Sequence, residues 1–358
     1  MNLPEPRPDF SRVRTVLRRE GEPDRVPFVE LFADPEIMSE VAGAAIADPL
    51  PTDHALREAH LRRIIQFWHA CGYDYVSMWP TVSLPVKRTG SGDTAVLTHR
   101  EREWQDESTG IINSWVDFES YPWPRPEEID YFNLEFVSRN LPEGMQIIAL
   151  GPGGQLEHIM WLMGYVPLAL ALRDDPALVQ AVAERVGEIL LSLYATTAEI
   201  PNVGAQWIGD DMGFKTDTML SPEDLRRFVF PWLTKLADIA HAHSMSFLLH
   251  SCGNLGAIMD ELIDDVGIDA KHSFEDAIQP VREAKRLYGK RIALLGGADV
   301  DFLCRSTEQD VRAYTRRLID ECAPGGGWAL GTGNSVANYI PLPNYLAMLD
   351  EGRRYGRY

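Results

Sequence analysis

Eight short runs rich in β-branched and aromatic residues, each ending in a glycine-containing or polar loop, alternate along the chain with amphipathic stretches long enough to be helices. Regular alternation of this kind is the pattern of βα units around a parallel sheet, and eight of them suffice to close a barrel. The runs are residues 26–32, 73–79, 146–151, 205–209, 246–250, 269–272, 292–295 and 328–331. Between them, segments 54–70, 177–200, 222–243 and 308–322 repeat apolar residues at three- and four-residue steps, the period of a helix with one buried face. Helix starts are marked by Ser221 before Pro222-Glu223-Asp224, Thr307 before Glu308 and Asp175 before Pro176. One stretch, 82–126, breaks the alternation, with strand-like pieces at 95–97 and 111–116, and reads as a small β insertion after the second strand. The expectation is an α/β chain: a single (β/α)8 TIM barrel spanning 1–358 with that insertion.

A chain of 358 residues fits one such barrel, and no apolar run approaches the roughly 20 residues that span a bilayer. The first ten residues lack a basic start followed by an apolar core, so the expected location is cytoplasmic. A formal charge of −19 repels phosphate backbones and anionic membrane surfaces, which argues against nucleic acid and membrane partners and for a small-molecule substrate. Cys71, Cys252, Cys304 and Cys322 have no paired spacing, so no disulfide framework is expected.

In a parallel barrel the chemistry gathers at the carboxyl ends of the strands. Here those ends carry Gly209-Asp210-Asp211-Met212-Gly213, His250-Ser251-Cys252-Gly253-Asn254, Lys271-His272-Ser273-Phe274-Glu275-Asp276, Gly296-Gly297-Ala298-Asp299 and Gly331-Thr332-Gly333-Asn334-Ser335. On extended backbone His250 and Cys252 face the same side, which makes either half of a metal site or a hydrogen-bonded histidine beside a buried thiol. Asp210 and Asp211 are adjacent, so only one of them can face the mouth; that carboxylate could be a base, a metal ligand, an anchor for a cation or a loop cap. His272, Glu275 and Asn334 are further catalytic candidates. Trp79, Trp207, Asp299 and Tyr339 are candidates for substrate binding, with Trp161 as an additional aromatic wall.

The same motifs, together with Leu220-Ser221-Pro222-Glu223, Pro231, Pro341 and Asn344, resemble the uroporphyrinogen decarboxylase superfamily over nearly the whole chain. The resemblance implies a (β/α)8 barrel and one of two chemistries. One branch decarboxylates the acetate arms of a porphyrinogen; the other, the cobamide-dependent methyltransferases, uses zinc to activate a thiol for methyl transfer from a corrinoid. The decarboxylase branch carries an arginine-rich signature near its first strand and an Asp after its second. This chain has Val26-Pro27-Phe28-Val29-Glu30-Leu31-Phe32 and Ser77-Met78-Trp79-Pro80 in those places.

The methyltransferase branch carries His-X-Cys, matched by His250 and Cys252, and a second Cys after its last strand, where this chain has Asn334. That resemblance therefore implies a zinc site with His250 and Cys252 as ligands and Asp210, Glu275 or His272 completing it, while Asn334 and His272 orient the substrate. It also implies a corrinoid carried by a partner protein, because the chain contains no Asp-X-His-X-X-Gly sequence, and a homodimer. The alternative is a metal-free decarboxylase or lyase in which Asp210 or Asp211 stabilises a protonated intermediate and His272 donates a proton. A ligand-binding barrel without catalysis is the third reading.

Overall fold

A computed structural model describes residues 3, 5–92, 97, 101–106 and 108–358. In chain order its strands are β1 (Tyr75–Met78), β2 (Arg88–Gly92), β3 (Glu101–Gln105), β4 (Gln146–Leu150), β5 (Val203–Gly209), β6 (Ser246–His250), β7 (Ala270–His272), β8 (Ala293–Leu295) and β9 (Trp328–Ala329). All but β2 and β3 form one curled parallel sheet in the order β1-β4-β5-β6-β7-β8-β9. Val76, Ile148, Ala205, Trp207, Leu248, Ala270, Leu294 and Trp328 from these strands are completely buried, so the strands form the packed centre and the helices its outer layer.

The expected first strand, 26–32, differs from the other seven. It meets the sheet through isolated parallel bridges, Phe28 to Leu330 and Ala33 to Val336, and no ladder joins it to β1. Pro27 accepts from the Leu330 N–H at 2.9 Å but has no N–H to return, which interrupts regular pairing. On the β1 side the contact is made by side chains. The Tyr75 hydroxyl donates to the Glu30 carbonyl (2.6 Å) and accepts from the Glu30 N–H (2.7 Å), and the Ser77 hydroxyl donates to the Leu31 carbonyl (2.7 Å). The fold is the (β/α)8 barrel, closed at this one seam by hydroxyl groups where a ladder would otherwise run.

The helices form where the apolar period places them: His54–Cys71, Pro176–Ala198 and Glu308–Cys322. The expected helix 222–243 is two, Pro222–Phe228 and Phe230–Ala242. Pro231 lies one position into the second helix and lacks the N–H that would continue the first, so the chain restarts at Val229. Ser221, Thr307 and Asp175 each accept from the backbone N–H three residues on, at 3.1, 3.3 and 3.1 Å. Ser221→Ala removes such an acceptor and is expected to cost about 1 kcal/mol, seen as a lower urea midpoint with unchanged slope.

In the insertion, β2 and β3 pair as an antiparallel hairpin. Ala95 and Val96 of the expected strand 95–97 lie outside the described residues. The expected strand at 111–116 is not one: Ser114 caps a helix, Trp115–Ser120, and the Ile111 and Ile112 N–H groups both donate to the Leu162 carbonyl. The apolar residues there dock on the barrel without joining a sheet. All four cysteines are free, and among the described residues no helix is long and apolar enough to cross a membrane.

Candidate functional site

Strand register builds the site. His250 ends β6 and His272 ends β7, and the two are direct partners in the parallel ladder, so both rings point to the same side. Their Nδ1 atoms are 2.8 Å apart, and His272 Nε2 is 3.3 Å from the Thr332 carbonyl oxygen. A carbonyl only accepts, so His272 donates from Nε2 and its Nδ1 is the acceptor. His250 must then donate from Nδ1, which leaves the lone pair on His250 Nε2. Burial holds both imidazoles neutral: His250 is lowered to about 4 and His272 well below its ordinary value. The buried Trp207 ring packs on His272 nearly at right angles, with centroids 5.3 Å apart, which helps fix its plane.

The bare Nε2 of His250 faces two further donors. Cys252 Sγ lies 3.5 Å away and Asp211 Oδ1 3.6 Å away, and one ligand atom from each of the three residues falls within 4.8 Å of the others. Asp211 is held by the Cys252 backbone N–H at 2.7 Å. Zinc bonded to sulfur at ~2.3 Å and to nitrogen at ~2.0 Å in a tetrahedron would separate those two atoms by roughly 3.5 Å. The spacing, the donor set and the free lone pair therefore suit zinc, with a fourth position left for substrate.

Around the thiol, Asn334 Nδ2 donates to Cys252 Sγ at 3.3 Å and Ser273 Oγ is 3.7 Å from it. Burial pushes the Cys252 thiol up and the Asp211 charge pushes it further, with partial relief from Ser273 and from the cation of Lys271. Without a metal the group is a neutral thiol. Lys271 is buried, donates to the Ser273 carbonyl and lies over the Phe274 ring, 4.3 Å from its centre. Burial lowers it to about 8, against the opposing pull of Cys252 and Asp211.

The other candidates divide by where their side chains go. The resemblance implies Asp210, Glu275 or His272 as the third ligand, yet the donor that joins His250 and Cys252 is Asp211. Asp210 points to the helix Gln155–Met163, where its Oδ1 accepts from the Leu156 and Glu157 N–H groups at 2.9 and 3.0 Å. Burial raises Asp210 to about 7, offset in part by those N–H groups. Glu275 is exposed on the loop after β7, beside Lys271, Ser273 and Gly253 in a small surface pocket.

His272 was expected to orient substrate, but both its nitrogens are engaged within the protein and it orients His250 instead. Asp299 accepts from the Phe302 and Asp276 N–H groups at 2.8 and 3.1 Å, which makes it the cap of the helix Val300–Arg305. Trp207 is buried in the barrel and likewise unable to serve as an exposed wall, whereas Trp79 and Tyr339 are exposed after β1 and β9.

Lys271, Ser273 and Glu157 were not singled out from the sequence. A lysine in the run Asp269-Ala270-Lys271-His272 was a visible irregularity. Glu157 sits three residues after Gly154 and accepts from its N–H at 3.0 Å, a helix-start pattern that the sequence carries. It is half-buried, and desolvation together with Asp211 and Asp210 raises it well above the ordinary range.

A sequence model described as "Uroporphyrinogen decarboxylase (URO-D)" matches residues 140–355. A uroporphyrinogen decarboxylase from Thioalkalivibrio sulfidiphilus (strain HL-EbGR7) is 28% identical over 193 residues, 52% of this chain and 51% of that protein. One from Anaeromyxobacter dehalogenans (strain 2CP-C) is 24% identical over 198 residues, 54% of this chain and 53% of that protein. The chain thus spans about half the length of the curated relatives it matches. A solved methyltransferase from Methanosarcina mazei superposes with a TM-score of 0.71 at 16% identity, covering 96% of this chain and 98% of that one, and so has the same fold. Because the matched segment holds every strand from β4 to β9 and all three clustered donors, the chain belongs to the uroporphyrinogen decarboxylase (URO-D) family.

Proposed function

We propose that this barrel enzyme catalyses zinc-assisted methyl transfer between a small thiol or methylated substrate and a corrinoid carried by a partner protein. The observation that carries the reading is the convergence of Asp211, His250 Nε2 and Cys252 Sγ at the strand ends with the imidazole lone pair turned toward them. Asp211, His250 and Cys252 would hold the metal. Zinc bound there supplies a Lewis acid, which lowers the pKa of a substrate thiol or polarises a methyl-bearing heteroatom. Asn334 and Ser273 hold the Cys252 sulfur in place, and Lys271 places a compensating cation behind Asp211 and Cys252. Trp79 and Tyr339 offer exposed aromatic surface for the apolar part of a substrate.

The second reading, decarboxylation of a tetrapyrrole or smaller carboxylate without metal, is favoured by the family and by one feature of the site. Asp210, raised to about 7, and the adjacent half-buried Glu157 are carboxyl groups able to keep a proton near neutral pH.

The test supplies zinc-loaded protein with methylcobalamin and a panel of small thiols, then with candidate carboxylic acids. Loss of the methylcobalamin spectrum matched by thioether, with the thiol proton released to solvent, is the expected outcome. Carbon dioxide release that persists in a Cys252→Ser variant, with no thioether from any thiol, overturns methyl transfer in favour of the second reading.

A further inference from the structure

Glu30 is an isolated acid in an otherwise apolar run, Val26-Pro27-Phe28-Val29-Glu30-Leu31-Phe32, and it is completely buried. Both of its carboxyl oxygens are engaged by one residue 302 positions away. Oε1 accepts from the Thr332 N–H at 2.8 Å, and Oε2 lies 2.5 Å from the Thr332 hydroxyl. This two-point grip fixes the Thr332 peptide from its N–H side. The carbonyl of the same residue is the acceptor for His272 Nε2, at 3.3 Å, and for the Gly297 N–H, at 3.1 Å.

That carbonyl packs against the chain just past β8 so closely that only glycine fits there. A Cβ on Gly296, whose φ is +76°, would fall 2.2 Å from the Thr332 oxygen and 3.0 Å from His272 Nε2. A continuous chain of contacts therefore runs from Glu30 through Thr332 and His272 to His250, and it ends on the nitrogen that faces Asp211 and Cys252.

We infer that Glu30 is a positioning residue for the His250–Cys252–Asp211 site, holding the Thr332 carbonyl where it selects the His272 and His250 tautomers that leave His250 Nε2 free. Glu30 touches neither His250 nor any substrate position and acts only through Thr332 and His272. Its contribution to metal binding rests on the zinc reading above, whereas its contribution to the tautomer does not.

The test compares wild type, Glu30→Gln and Glu30→Leu, each read out twice: by nitrogen-15 NMR of the histidine rings in metal-free protein, and by zinc affinity in competition with a chelator. Gln can accept from the Thr332 N–H and donate to its hydroxyl, so Glu30→Gln is expected to keep the wild-type His250 tautomer and zinc affinity. Glu30→Leu is expected to give a mixture of His250 tautomers and zinc binding weaker by about 10- to 100-fold, the range typical of residues that orient a metal-ligating histidine.

A folded Glu30→Leu protein with the wild-type tautomer and affinity overturns the inference. Should Glu30→Leu fail to fold, Thr332→Val, which keeps the backbone N–H and removes the hydroxyl, and Gly296→Ala, which displaces the carbonyl, are expected to show the same tautomer mixing; unchanged tautomers in both overturn it. If the tautomer responds while wild type binds no zinc, the positioning role stands and the zinc reading falls.

Discussion

Wild-type protein prepared without chelator is expected to contain about one zinc per chain, and Cys252→Ser protein essentially none. Sulfur is the softest of the three donors, and a serine hydroxyl is neither ionised at neutral pH nor a competitive ligand. Two aspartate variants make the result specific. Asp211→Asn is expected to weaken zinc binding by more than about tenfold, since it removes the anionic donor. Asp210→Ala is expected to retain zinc while costing about 1–3 kcal/mol of stability, because two N–H groups at the start of the helix Gln155–Met163 lose their acceptor. Elemental analysis and urea unfolding report the two effects separately. A full complement of zinc in Cys252→Ser would remove this cluster as the metal site.

The second large effect is on stability and concerns pH. Burial raises Glu30 to about 8 from an ordinary 4.5, with the hydrogen bonds from Thr332 opposing the shift. Below about 4.5 the carboxyl is neutral in both folded and unfolded chains and contributes no pH dependence. Between 4.5 and 8 the unfolded chain ionises while the folded chain keeps its proton, so stability falls as pH rises. Above 8 both are ionised and the full penalty stands, on the order of 4 to 5 kcal/mol. Metal-free Glu30→Gln protein should therefore match wild type near pH 4.5 and exceed it by several kcal/mol at pH 8.5. Urea midpoints of the two proteins that stay parallel over this range would show that Glu30 is not held protonated by the fold.

The barrel was legible in the sequence because its signals are local. Caps at Ser221, Thr307 and Asp175 and the three-to-four apolar period act within one or two turns, and the helices followed them. The first strand was harder, because Pro27 and the hydroxyls of Tyr75 and Ser77 determine how residues 26–33 join the sheet, and the partners lie far apart in sequence. The split at Pro231 was in principle readable; the apolar period on both sides of it outweighed the proline.

At the site, the two-residue spacing of His250 and Cys252 was sufficient to put them together. The parity argument for Asp210 and Asp211 required one of them to turn away but could not say which, since that depends on the pairing of β5 with β6 and on the helix start waiting at Leu156. The pairing of His250 with His272 was invisible for the same reason: it is a property of strand register, and nothing in the 21 residues between the two histidines records it.

The link from Glu30 to Thr332 has a consequence for how the barrel closes. Residues 302 positions apart meet here, so the entropic cost of closing that loop has to be offset by the strands that pack between them. Because the Glu30 contact joins two distant parts of the chain, a barrel in which that contact is unmade holds His250 and Cys252 without the Thr332 carbonyl fixed beside His272.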